Sequence, residues 1–334
     1  MTVWMFPGQG AQRAGMARAL GDARPLLRRA GEILGTDLAA LCLTDPDPDG
    51  SPELVQPALF VVGVAAATAL LRHDVPPAAV IGHSFGEFAA LTAVGALPFE
   101  TGLRLTALRA RAMLRCATTD SAMAAVLGLG EEAVRAVCAE ITAGGAEVAI
   151  SNINSPAQIV LAGERAALDE AGRLCRARGA FRIRPLRVPY AAHTRLMAPA
   201  AEELRTALEP VELRSLDAPL ISCVTGETTS DPARVKELLV LGMTRTVDFA
   251  AAVRAAAAAG HHDFTELGPG SPARLLGLVR AVLPGDAAPG LRLVSSDAEA
   301  RTPQPFQADR PAPADGPAPA AVVRPSAEGA GHGR

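Results

Sequence analysis

The sequence is 334 residues long, 49% apolar and close to neutral, with a formal net charge of −3 at pH 7. That is enough apolar content to bury a large core and too little charge to attract nucleic acid or anionic lipid. The cysteines, Cys42, Cys116, Cys138, Cys175 and Cys223, are scattered and form no CxxC pair, which excludes a disulfide framework or structural zinc site and points to a reducing cytoplasm. No membrane segment is expected: the apolar stretch 3–6 stops at Pro7-Gly8, and no apolar run reaches the roughly 18 residues a span requires.

In chain order, residues 3–6 read as a short buried strand, followed by the Pro7-Gly8-Gln9-Gly10 loop and a helical stretch from about residue 11. The Ala/Val/Leu-rich stretch 56–71 reads as helix. Residues 78–81 form a short apolar strand that runs straight into Gly82-His83-Ser84-Phe85-Gly86, with helix from 86 toward 94. This order of elements indicates an α/β core with parallel strands.

From residue 122 to 188 the rhythm changes. Strand 122–129, helix 131–141, strand 147–153, a turn at Asn154-Ser155-Pro156, strand 158–162, helix 165–178 and strand 181–188 follow one another. The order βαββαβ is the ferredoxin-like split pattern, which closes on itself as a compact unit. It reads as an insertion at 122–188 in a larger domain spanning 1–121 and 189–296, to which strands 219–224 and 263–267 and a helix 247–259 belong. Residues 297–334, rich in Pro, Ala and Gly, read as a disordered tail.

A serine set between glycines, at the end of a strand and the start of a helix, has its hydroxyl projected into a cleft by a turn that tolerates only small neighbours. Ser84 sits in that context, and the backbone N–H of Phe85 at the helix start suits a developing oxyanion. A serine hydroxyl needs a base. His73 reads as a loop residue, His332 lies in the tail, and His83 adjoins the serine with its side chain leaving the turn in another direction. His193, His261 and His262 remain. The latter two precede a strand and read as solvent-facing, whereas His193 lies where the chain re-enters the larger domain.

Phe6-Pro7-Gly8-Gln9-Gly10, Gln56-Pro57-Ala58, Gly82-His83-Ser84-Phe85-Gly86-Glu87, Leu108-Arg109, Ala122-Met123-Ala124-Ala125-Val126, Asn154-Ser155-Pro156, Ala192-His193 and Glu266-Leu267-Gly268-Pro269-Gly270 resemble, in identity and order, the motifs of malonyl-CoA:acyl-carrier-protein transacylases. The resemblance runs over roughly residues 1–290. It implies an α/β-hydrolase-like large domain with a parallel sheet and the inserted ferredoxin-like subdomain. It also implies acyl transfer from coenzyme A, through an ester on Ser84, to the phosphopantetheine thiol of an acyl carrier protein in polyketide or fatty-acid synthesis. By position, His193 matches the base, Gln9 and Phe85 the backbone oxyanion donors, and Arg109 the arginine that grips the carboxylate of a malonyl group. A planar guanidinium suits that task because it pairs two-point and stays charged when desolvated. No metal or redox cofactor is expected, coenzyme A entering only as the donor thioester, and the enzyme is expected to act as a monomer.

The stretch Tyr190-Ala191-Ala192-His193 is closer to the Tyr-Ala-Ser-His of methylmalonyl-selective polyketide domains than to the His-Ala-Phe-His of malonyl-selective ones. Tyr190 and Ala192 are therefore candidate substrate contacts, with room beside Ala192 for an α-substituent. The segment around Gly242 corresponds to the region whose main-chain carbonyl orients the histidine. An acyl hydrolase, or transfer between two carrier proteins, would use the same serine and histidine.

Overall fold

A computed structural model of the chain describes residues 2–44, 50–73, 76–118, 120–285 and 289–302. The first half of the large sheet and its cover comprise β1 (Val3–Phe6), α1 (Ala23–Leu34), α2 (Pro52–Leu71), β2 (Ala79–Gly82), α3 (Gly86–Ala93) and α4 (Phe99–Arg115). Then come β3 (Ser121–Leu127), α5 (Glu131–Ala143), β4 (Val148–Ser155), β5 (Gln158–Glu164), α6 (Arg165–Ala177) and β6 (Arg182–Pro185). The chain ends its described course with α7 (Ala198–Leu208), β7 (Leu220–Ile221), β8 (Thr228–Thr229), α8 (Pro232–Thr244), β9 (Val247–Asp248), α9 (Phe249–Ala258), β10 (Asp263–Leu267), α10 (Leu275–Val282), β11 (Gly290–Val294) and α11 (Asp297–Arg301).

Two sheets result. The larger has the order β11-β10-β1-β2-β7-β8 and is parallel except for the β7–β8 pair. Its central strand β1 is buried on both faces, which is why it reads as an unbroken apolar run. Successive side chains point to opposite sides: Trp4 and Phe6 join the core under α1 to α4, α7 and α8, while Val3 and Met5 join the core shared with α9 and α10. The smaller sheet has the order β6-β3-β5-β4-β9. Its first four strands pair antiparallel, the arrangement expected of a ferredoxin-like unit. β9 then adds in parallel to β4, pairing Val247 with Asn152, so a strand from outside the insertion completes its sheet.

α2 is apolar on every face and buried almost throughout, as befits the central helix of a large core. It is long and apolar enough to cross a membrane by length and composition, which corrects the expectation that no such run exists; here that surface is spent on packing within the fold.

Other expectations need correction. No helix starts at residue 11. Residues 11–20 run as turns, held from afar by Arg13, which donates to the Pro269 carbonyl, and by Arg18, which donates to the Leu43 carbonyl. The expected helix 247–259 begins instead at Phe249, because Val247 and Asp248 are strand β9. The tail does not begin at 297. α11 is capped by the Ser296 side chain, and Asp297 accepts a hydrogen bond from Gly21 N–H at 3.1 Å. The remainder of the expected tail, 303–334 with His332, lies outside the described residues.

Candidate active site

The site gathers at the carboxyl ends of β1 and β2, where ligands of parallel α/β sheets collect. Glycine is required there by close approach. A Cβ on Gly82 would collide with the backbone of Glu87, and one on Gly86 with the carbonyl of Phe6. The turn is pinned by His83 N–H donating to Phe6 O at 2.9 Å and Gly86 N–H donating to His83 O at 3.1 Å. At its tip Ser84 adopts φ 57°, and His193 adopts φ 60°. Left-handed backbone at two non-glycine residues is costly and persists only where surrounding structure enforces it.

Ser84 Oγ lies 2.9 Å from His193 Nε2, and His193 Nδ1 lies 2.6 Å from the carbonyl of Gly242 in α8. A carbonyl can only accept, so the proton belongs on Nδ1 and Nε2 is left to accept from the serine. Burial, reinforced by the positive charge of Arg109, pushes the His193 pKa down to about 3, so the imidazole is neutral and basic at pH 7.

Arg109, on α4 and buried, donates from Nη2 to Ser84 Oγ at 3.0 Å and from Nη1 to Gln56 Oε1 at 2.9 Å. Gln56 donates in turn to the Tyr190 hydroxyl at 3.0 Å and to Gln9 Oε1 at 3.3 Å. The Phe85 ring lies under the guanidinium, 5.9 Å from ring centroid to Cζ. Burial lowers the pKa of Arg109, while Tyr190 and Glu87 act in the opposite sense; a guanidinium starts high enough to stay charged. These groups face a cavity of about 540 Å³ lined by Gln9, Phe85, Tyr190 and Ala192 on one side and by Met123, Ala125 and Arg184 of the small sheet on the other. A volume of this size falls in the range of small-molecule sites.

Residues 3–273 match the acyl transferase domain family. The chain is 34% identical over 285 residues to the malonyl CoA-acyl carrier protein transacylase of Bacillus subtilis (strain 168), covering 84% of this chain and 89% of that one. It belongs to that transacylase family. It is also 38% identical over 290 residues to the polyketide biosynthesis protein ThaF of Burkholderia thailandensis, covering 86% of this chain but 24% of that longer protein. Among solved structures it superposes on a malonyl-transacylase in complex with its type II PKS acyl-carrier protein, with TM-score 0.84, 31% identity, and 90% and 97% of the two chains covered. The acyl-carrier-protein S-malonyltransferase of Burkholderia pseudomallei gives TM-score 0.83 at 33% identity, covering 90% and 98%.

Within this transacylase framework Ser84, His193, Arg109, Gln9, Phe85, Tyr190 and Ala192 all border one cavity. Phe85 stands at the N-cap of α3 and Gln9 in the loop after β1. His83 does turn away from Ser84, placing Nε2 2.8 Å from Asn154 Oδ1 and its ring beside Phe249. His261 and His262 lie just before β10 and do not line the cavity.

Two residues were given no role by the sequence reading. Gln56 links Arg109, Tyr190 and Gln9, and its signal was legible: a lone amide, itself buried, inside the predominantly apolar α2. Asn154 fixes His83 across the two sheets, and nothing local marked that partnership.

Proposed function

We propose that this chain transfers a malonyl-type carboxyacyl group from coenzyme A to the phosphopantetheine thiol of an acyl carrier protein, in polyketide or fatty-acid biosynthesis. The observation that carries the reading is that one hydroxyl, Ser84 Oγ, lies between an imidazole acceptor at 2.9 Å and a buried guanidinium donor at 3.0 Å. A base and a carboxylate clamp thus converge where the acyl group would be bound.

His193 Nε2 takes the Ser84 proton as Oγ attacks the thioester carbonyl, and the tetrahedral oxyanion is received by the N–H groups of Phe85 and Gln9. Collapse breaks the C–S bond, and His193 returns the proton to the departing coenzyme A thiolate. In the second half the carrier's thiol gives its proton to His193, attacks the Ser84 ester, and the serine leaves reprotonated. The chemistry needs no metal or redox cofactor. Arg109 pairs with the free carboxylate, giving up its hydrogen bonds to Ser84 and Gln56 in exchange. Tyr190 and Ala192 border the acyl group, and the small Ala192 leaves space for an α-methyl, worth about 1 to 3 kcal/mol of discrimination. We further propose a cytoplasmic monomer.

The experiment is intact-mass spectrometry after exposure to malonyl-, methylmalonyl- and acetyl-CoA, followed by addition of a holo-carrier protein or of buffer alone. A carboxyacyl adduct absent in Ser84→Ala and discharged to the carrier supports the proposal. Discharge to water faster than to the carrier thiol would establish the hydrolase reading instead. An adduct formed from an acylated carrier but not from acyl-CoA would establish transfer between carriers.

A further inference from the structure

Glu87 stands on the first turn of α3, three residues after Ser84, and is only 4% exposed. Its Oε1 has no hydrogen-bond partner among the described residues. Together with Ser84, Arg109, His193 and Gly242 it lines a small pocket of about 10 Å³, about the room one water occupies. A buried carboxylate without full hydrogen bonding is expensive unless a cation faces it.

Three titratable groups face Glu87 from the elements packed on α3. Arg109 comes from α4 and lowers the Glu87 pKa; His193 approaches from the segment before α7 and is uncharged; Cys223 comes from the segment after β7, where its backbone also bonds Glu87. Arg109 is thus the counter-charge, and Tyr190 acts on that arginine from its other side.

The same guanidinium is the group assigned above to the substrate carboxylate, so this inference rests on that reading. One buried positive charge cannot fully compensate two carboxylates. We propose that Glu87 is a proton-linked counter-ion of Arg109, which takes a proton from solvent when the carboxylate of the substrate engages that arginine. Glu87 is a positioning residue in this scheme. Above about pH 8, where it is ionised in the empty site, it offsets the charge of Arg109, and it withdraws its own charge in the loaded site, so a carboxyacyl group is not repelled by the acid behind the serine. An acyl group lacking a carboxylate leaves the electrostatic coupling between Arg109 and Glu87 undisturbed. Burial pushes Glu87 up to about 8 against the opposing pull of Arg109. The sign follows: substrate binding favours the protonated form, so affinity for carboxyacyl-CoA falls as pH rises through about 8.

The test is calorimetric titration of the full-length Ser84→Ala chain, which binds without being acylated, with malonyl-CoA and acetyl-CoA at pH 6.5 and 8.5. Two buffers of different ionisation enthalpy report the protons exchanged, and acetyl-CoA, with the same phosphates, sets the baseline. At pH 8.5 malonyl-CoA should take up at least about half a proton more than acetyl-CoA, with less uptake at pH 6.5. Its affinity should weaken toward tenfold per pH unit above 8. Adding Glu87→Gln should abolish the extra uptake and flatten the pH dependence while malonyl-CoA still binds.

Tight malonyl-CoA binding without extra uptake, or uptake that survives Glu87→Gln, overturns the proposal alone. Malonyl-CoA binding no tighter than acetyl-CoA overturns the carboxyacyl reading of Arg109 as well. If the glutamine variant does not fold, infrared difference spectra of the Ser84→Ala chain decide. A protonated-carboxyl band gained with malonyl-CoA supports the proposal, and its absence overturns it.

Discussion

A histidine that serves as a base must be unprotonated before the substrate arrives, and at His193 burial beside Arg109 ensures this by holding the pKa near 3. Below pH 8 the rate of Ser84 acylation should therefore stay flat through pH 6.5, where an ordinary histidine would protonate, and decline only below about pH 4; stopped-flow acylation across pH 5 to 8 checks that flatness. The same shift has a stability consequence. Between pH 6.5 and about 3 the unfolded chain binds the proton that buried His193 refuses, so this group makes stability rise with pH over that window. Urea midpoints of His193→Gln should fall less steeply than wild type as pH is lowered from 7 to 5. Arg109→Ala should lower kcat/KM for malonyl-CoA by about 2 to 5 kcal/mol, roughly 30-fold or more, with far less effect on acetyl-CoA. Arg109→Lys should not restore it, since an ammonium cannot make the two-point pair. Ser84 announces itself through its glycine turn. Gly242 has no such local mark, because what it offers His193 is a main-chain carbonyl, which every residue possesses; only the family resemblance pointed to its segment, and the 2.6 Å contact bears that out.

At the level of elements, the βαββαβ unit was legible because its helices and strands carry clear and contrasting periods, and its boundaries fall within a few residues of those expected. The stretch from residue 11 misled, since its turns are set by side-chain bonds from Arg13 and Arg18 to carbonyls distant in sequence. β11 was missed as a short strand with Arg292 at its centre, and α11 as a helix of five residues, too brief to show periodicity. β6 has a functional bearing. Arg184 lines the cavity, and Arg182, two residues away, shares its side of the strand, beside the largely exposed Phe181. If the proposed transfer to a carrier protein holds, this basic edge would complement a negatively charged carrier surface. Arg182→Glu should raise KM for the carrier several-fold while leaving acylation by malonyl-CoA unchanged, as measured in separate half-reactions.

For the described molecule as a whole, the decisive feature is how the two sheets share their cores. Ala124 and Val126 of β3 pack in the same cluster as Val3, Met5 and Phe249, while Met123 and Ala125 face the other way and line the cavity. β9 ties the sheets through Val247, and Thr246 Oγ1 donates to Ile150 O at 2.8 Å. Phe249, fully buried just after β9, packs in that shared core. Phe249→Ala should cost about 3 to 5 kcal/mol in urea denaturation, and should slow acylation by loosening the His83 ring it supports. The sequence by itself determined the α/β class, the ferredoxin-like order and the Ser84 turn, because periodicity and glycine sterics are local properties. The pairing of His193 with Gly242, the Gln56 link to Arg109 and the unpartnered carboxyl of Glu87 were decided by the tertiary structure. Each depends on which distant groups burial brings within hydrogen-bonding or electrostatic reach, and no local pattern encodes that.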